Sequence, residues 1–267
     1  MSRLIKFEPT FYVMTVLAIL LGHFTQFVIF GMTLVVHELG HFFMARLFKW
    51  ELEELRLFGF GGVMRFRGEL NKSNLADLWV SLGGIMSNGL FLMLLLLVDT
   101  DALSSVILNR HYYLIFSQLF MIVFNLMPLP PLDGSRILMA LLSMNLPYKK
   151  VLDLVNGFNV VLLGILVLLT LWFDWRQFLL IEGFLVYSTI KFRKESSYLF
   201  ERFLLQKEFC RNTALPPKKI SITEGNWENR LFRGHVNYFC TGLGDSDEIC
   251  WLDIKYGQHR EAQKFDK

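Results

Sequence analysis

Residues 35–41 read Val35-Val36-His37-Glu38-Leu39-Gly40-His41, an H-E-x-x-H motif set inside an apolar run. In a helix, the i, i+4 spacing puts both imidazoles on one face. Two neutral imidazoles so placed can chelate zinc, and the adjacent Glu38 is left to act as a general base toward water. His, Glu and His within a membrane-crossing helix are costly unless they face a cavity, pair with one another or bind an ion. An interhelical hydrogen-bond cluster, a heme site or a metal-transport site are the non-proteolytic readings of the same three residues.

The surrounding composition sets the solvent for that helix. A chain of 267 residues with 53% hydrophobic residues, 19% charged and a mean hydropathy of +0.40 is not disordered, collagen-like or an ordinary soluble enzyme. The first 190 residues hold 13 Lys+Arg and 13 Asp+Glu, and the last 77 hold 14 and 11. Charge density therefore more than doubles, which separates a membrane domain at 1–192 from a water-solvated tail at 193–267. A net charge of +3 gives no footprint for nucleic acid. Cys210, Cys240 and Cys250 lack C-x-x-C spacing, so neither a disulfide framework nor a zinc ribbon is expected, and a reducing compartment fits.

Apolar runs near 11–21, 24–48, 75–98, 113–127, 151–173 and 178–190 predict six spans, with Gly22-His23 as a tight turn between the first two. The run from Phe11 past Val36 is too long for a signal peptide. Lys and Arg then orient the spans. Arg3 and Lys6, the loop holding Arg46, Lys49, Arg56, Arg65, Arg67 and Lys72, the loop holding Arg136, Lys149 and Lys150, and finally Lys191, Arg193 and Lys194 fall on one side. The opposite loops offer Arg110 and Arg176, so both termini are expected to be cytoplasmic. No internal repeat supports a transporter built from two halves. Counting back from Arg46 and Lys49 at 1.5 Å per residue puts His37 ~14–18 Å into the membrane.

A zinc ion that keeps one position open needs a third protein ligand. The sequence offers one at Asn125-Leu126-Met127-Pro128-Leu129-Pro130-Pro131-Leu132-Asp133-Gly134, where three prolines break the fourth span. Broken backbone at membrane depth is tolerated against protein or a watery cavity. Asp133 lies in that break and can reach a metal; a Pro-rich turn with a solvated Asp is the bland alternative.

The two motifs together, His37-Glu38-x-x-His41 and Asn125-x-x-Pro128-x-Pro130-Pro131-Leu132-Asp133-Gly134, resemble the site-2 protease family of intramembrane zinc metalloproteases over residues 10–190. The resemblance implies that His37, His41 and Asp133 bind one Zn2+, that Glu38 is catalytic, and that Asn125 and Pro131 contact substrate. Six spans, a very short N-terminal extension, the Phe58-Gly59-Phe60-Gly61-Gly62 loop and no inserted PDZ domain are most like the family's sporulation branch. That likeness implies cleavage of a sigma-K precursor, inhibitory membrane partners, and residence on the mother-cell side of the outer forespore membrane. It also implies a nucleotide-sensing CBS domain binding ATP, of which residues 220–256 match only a shortened version.

Other segments are read beside these. Gly61 and Gly62 followed by Val63-Met64-Arg65-Phe66 suit a bend and an extended segment whose free edge could pair with an extended substrate, or a plain loop. Leu82-Gly83-Gly84-Ile85-Met86-Ser87-Asn88 resembles the family's small-Gly-Pro-x-x-Asn segment, with Ile85 where proline is usual. Close helix packing is its structural meaning, and a cleft role for Asn88 its sharper one. Glu182 is a solitary acid in the sixth span, open to partner contact or packing, while His23 and His111 read as interfacial. The 26 Phe residues are ordinary lipid-facing surface, and Arg193-Lys194 with Lys218-Lys219 a solvated basic face.

The expected fold is an all-α polytopic membrane protein of six transmembrane helices with a re-entrant, extended loop and a small α+β cytoplasmic domain. The expected activity is intramembrane zinc proteolysis of a membrane-associated pro-protein. The alternatives are cleavage of another membrane-anchored regulator, such as an anti-sigma factor or a signal-peptide remnant, a distal Glu ligand such as Glu182, a substrate-sequestering pseudo-enzyme, and a metal transporter. Oligomerisation is left open.

Overall fold

Lipid offers no partners to backbone N–H and C=O groups, so apolar runs of this length close their hydrogen bonds as helices. The computed structural model describes residues 5–58, 61–66, 72–99, 104–173, 179–209, 215, 217–221, 227–241 and 244–247. Gly59, Phe60, Arg67, Arg176, Cys210, Cys250 and the stretch 248–256 of the expected nucleotide-sensing segment lie outside them. The protein is mostly helical, with two three-stranded sheets.

Among the described residues, four helices are long and apolar enough to cross a membrane: α2 (Phe24–Leu47), α3 (Asn74–Leu96), α4 (Ser105–Leu126) and α6 (Tyr148–Trp172). The expected first span is the 12-residue α1 (Pro9–Leu20), ~18 Å long against ~30 Å of hydrocarbon. The expected last span is the start of α7 (Leu179–Phe209), which runs unbroken through Lys191, Arg193 and Lys194. A short α5 (Asp133–Ser143) comes after the prolines, so Asp133 opens a helix where an irregular loop was expected.

The chain forms two compact units. The first comprises Met1–Arg67, Leu78–Met127 and Leu132–Gly134. There Gly22 takes a φ of +73°, the left-handed turn that glycine permits, between α1 and α2. Helix α2 has two faces: Val35, Leu39 and Phe43 are exposed, whereas His37, Glu38, His41 and Ala45 are buried. Exposed apolar stripes of this kind suit lipid rather than water. Gly83 on α3 meets α2 so closely that a Cβ there would lie 2.6 Å from the Gly40 carbonyl oxygen, the close packing expected of that small-residue segment. Strands β1 (Ile5–Phe7), β2 (Leu52–Phe58) and β3 (Gly61–Phe66) form one sheet, with β1 parallel and β3 antiparallel to the central β2. Arg56 and Lys6 hydrogen-bond Glu54 and hold its carboxyl down at about 2. The sequence reading reached the extended 63–66 segment but missed β2 and β1, whose charge-rich alternation reads as loop.

The second unit comprises Gly68–Asp77, Pro128–Pro131 and Ser135–Lys267. Its core joins Tyr148 and Leu152 of α6, Phe200, Phe203 and Leu204 of α7, and Ile220 and Leu231 of the tail. Strands β4 (Pro217–Ser221), β5 (Val236–Thr241) and β6 (Gly244–Asp247) make the second sheet in that order. Asp77 is buried between Arg233, at 2.8 Å, and Arg136, at 3.2 Å. Asn74 donates to the carbonyls of Ser143 and Arg233.

Candidate metal centre

The i, i+4 spacing on α2 brings the rings of His37 and His41 edge to face, with centroids 4.6 Å apart. Asp133, the first residue of α5, reaches the same point. Its Oδ2 lies 2.9 Å from His37 Nε2 and 3.1 Å from His41 Nε2, and the two Nε2 atoms are 3.1 Å apart. Gly134 behind it lets α5 start tightly against the end of α4, since a Cβ there would strike the Leu126 and Met127 carbonyls.

His41 Nδ1–H donates to the Val80 carbonyl at 2.7 Å, which turns Nε2 toward Asp133. Both rings rest on Gly84 of α3, where a Cβ would lie 2.5 Å from His37 Cε1 and His41 Nε2. Ser87 Oγ donates to the carbonyls of Val36 and Gly84, at 2.9 and 2.8 Å, and ties the two helices on the same side. The carbonyl of Val80 and the side chain of Ser87 carry no sequence signal of a site, so neither was anticipated; the signal for Gly84 was the glycine pair itself.

The arrangement fits a metal. Ligand atoms of His37, His41 and Asp133 lie within 4.8 Å of one another, and they form the one such group found among the described residues. Two imidazoles and one carboxylate are a catalytic-zinc donor set that leaves a fourth position open. A cation held there would give these three mutually facing groups a common partner.

Glu38 is buried beside the triad, and strand β3 comes up against it: a Cβ on Gly62 would lie 2.6 Å from Glu38 Oε1. Gly61 has open space around it. Strand β3 pairs with β2 along one edge, and among the described residues no strand takes its other edge. Asn125 is half-buried and donates from Nδ2 to the Met121 carbonyl at 3.1 Å, so its donor must turn to reach an oxyanion, while Oδ1 can accept as it stands. Asn88 is fully buried, and Pro131 is exposed.

His111, seven residues into α4, is buried, and His23 beside the Gly22 turn is exposed. Glu182 accepts a hydrogen bond from Thr170 and belongs to the second unit.

Comparison with known proteins agrees with the site. Residues 25–104 match Peptidase family M50. The chain is 26% identical to stage IV sporulation protein FB of Bacillus subtilis over 217 residues, 79% of this chain and 73% of that one. It is 29% identical over 127 residues to a zinc metalloprotease of Methanocaldococcus jannaschii, 46% of this chain and 36% of the other. The fold is similar to a site-2 protease structure from the same archaeon, with a TM-score of 0.55 at 24% identity, covering 71% of this chain and 90% of that one. With four apolar helices, the chain is an integral membrane protein.

Proposed function

We propose, from the premise that the chain is a metalloendopeptidase with a peptidase M50 domain, that it cleaves membrane-associated pro-proteins at a zinc site inside the membrane. The observation that carries this is the meeting of His37 Nε2, His41 Nε2 and Asp133 Oδ2, from two separate motifs, beside the buried carboxylate of Glu38.

A zinc ion held by His37, His41 and Asp133 would supply Lewis-acid activation of a peptide carbonyl and of a water molecule. Glu38 takes a proton from the attacking water onto its carboxylate and delivers it to the leaving amine nitrogen, so peptide and water become a free carboxylate and amine. The free edge of β3 pairs with an unwound substrate segment, and Gly62 brings that edge against Glu38. Asn125 turns its amide to the substrate backbone or the developing oxyanion, with Pro131 shaping the approach.

The substrate reading is a sigma-K-type precursor, supported by likeness to the sporulation protein over 79% of this chain. Membrane inhibitory partners are inferred from the same likeness. Another membrane-anchored regulator is the second reading, since the triad is indifferent to the substrate's name. We further propose six crossings with α1 and the start of α7 as the short ones, both termini cytoplasmic, a 1–192 membrane domain and a 193–267 regulatory tail open to ATP.

The test is co-expression of the protein, or its Glu38→Gln variant, with a tagged pro-sigma-K-type precursor, followed by size on a gel. Shortening with the wild type alone is the expected result. An intact precursor with both, in a membrane that also supplies the regulatory partners, overturns the substrate assignment.

A further inference from the structure

The two histidines of the triad differ at their second ring nitrogen. His41 Nδ1–H is spoken for by the Val80 carbonyl at 2.7 Å. His37 Nδ1 is buried without a hydrogen-bond partner, and so are both amide atoms of Asn88 on the facing helix. Buried polar atoms normally find partners, so unpartnered groups on adjoining helices call for an account.

The register of α2 and α3 sets these atoms on the facing sides of two packed helices. Val80 meets His41, Gly83 packs on Gly40, Gly84 on His37, and Ser87 reaches Val36, so each turn forward on α3 is a turn back on α2. Asn88 stands one turn beyond Gly84 on the same face, a Cβ-to-Cβ step of ~5–6 Å. Helical side chains lean toward the helix N-terminus, which points the Asn88 amide back over Gly84. A Cβ on Gly84 would lie 2.8 Å from His37 Nδ1. The Asn88 amide thus stands within a helical turn of the ring edge that carries that nitrogen, and does not hydrogen-bond it in this structure.

Proton counting supplies the reason. His37 Nε2 faces Asp133 Oδ2 at 2.9 Å and His41 Nε2 at 3.1 Å, the side on which a metal would be held. A metal there uses the lone pair of Nε2, so a neutral ring must hold its proton on Nδ1. His41 already has a partner for its Nδ1–H in the Val80 carbonyl.

We propose that Asn88 is a positioning residue for the metal site: its Oδ1 accepts the Nδ1–H of His37 once the metal is held, and so fixes the tautomer and ring angle of that ligand. The inference rests on the metal reading given above. Asn88 is fully buried, so it acts through His37 rather than on substrate. Helix α3 then orients both ligands, one through a backbone carbonyl and one through a side chain, as outer-shell partners of metal-bound histidines do.

The test is zinc affinity of the full chain in detergent, stripped of metal and titrated against a chromophoric chelator. Asn88→Leu keeps the volume and removes the acceptor; it is expected to weaken zinc about 10–100-fold. Asn88→Asp retains an acceptor and is expected to bind within about threefold of the wild type, or more tightly. Affinity unchanged in Asn88→Leu, beside loss in Asp133→Ala, overturns the role of Asn88 and leaves the metal reading standing. Wild-type affinity in Asp133→Ala overturns both. The unmutated protein gives an independent readout that needs no variant to fold. In nitrogen-15 histidine spectra of the zinc-loaded chain, a proton on His37 Nδ1 with a nuclear Overhauser contact to the Asn88 amide is the expected result, and its absence overturns the proposal.

Discussion

Two charge clusters, one in each compact unit, differ in the groups that answer their carboxylate. Asp77 sits between two guanidinium groups, Arg233 at 2.8 Å and Arg136 at 3.2 Å, so one carboxylate is answered by more donors than it can use. Asp133 Oδ2 faces the Nε2 atoms of two imidazoles, three atoms that can each ligate a metal, within 4.8 Å of one another. The first cluster pairs a carboxylate with cations and holds structure together. In the second, a bound cation would give three ligating atoms a common partner. The kind of group that answers the carboxylate, rather than burial or charge, separates a structural ion network from a candidate metal centre.

That contrast can be broken at several points. Glu38→Gln removes the proton carrier and leaves the triad intact; proteolysis of a co-expressed substrate should fall about 10²–10⁴-fold while bound zinc stays stoichiometric by metal analysis. Asp133→Ala should weaken zinc by more than about 100-fold in chelator competition, beyond what the loss of an outer-shell partner costs. Asp77→Ala should do the reverse. It removes the carboxylate that Arg233 and Arg136 share and should destabilise the protein by about 3 kcal/mol, the low end for a broken buried pair because Arg136 is 30% exposed, with zinc affinity unchanged. A thermal melt paired with a zinc titration reads this, and zinc loss at constant stability would erase the distinction drawn between the clusters. The smallest effects concern β3. Gly62→Ala pushes on Glu38 and should lower kcat/KM about 10–100-fold, whereas Gly61→Ala, with open space around it, should stay within about twofold.

How much of this was legible in sequence depends on where the information sits. The candidate ligands were legible because the chemistry needs side chains of particular type at particular spacing, as in His37, His41 and Asp133. The four long apolar helices were legible because lipid demands long apolar runs. The β1–β2 pairing was not, because Glu53, Glu54 and Arg56 break any apolar pattern and a parallel partner 50 residues away leaves no local trace. Nor was Val80, which contributes a carbonyl that every residue has. Asp77 and Arg233 lie far apart in the chain, and their pairing is a property of the fold alone. Helix α5 was hidden by the prolines before it, which mark a break in one helix but carry no signal for the start of another.

Helix α7 has a mechanical meaning of its own. It runs 31 residues, ~46 Å, from the buried Glu182–Thr170 contact with α6 to Phe203 and Leu204 in the core of the tail. No proline interrupts it. It is a stiff shaft with both ends seated in packing: torque applied where the tail engages is carried along its length to α6, instead of being absorbed by a joint.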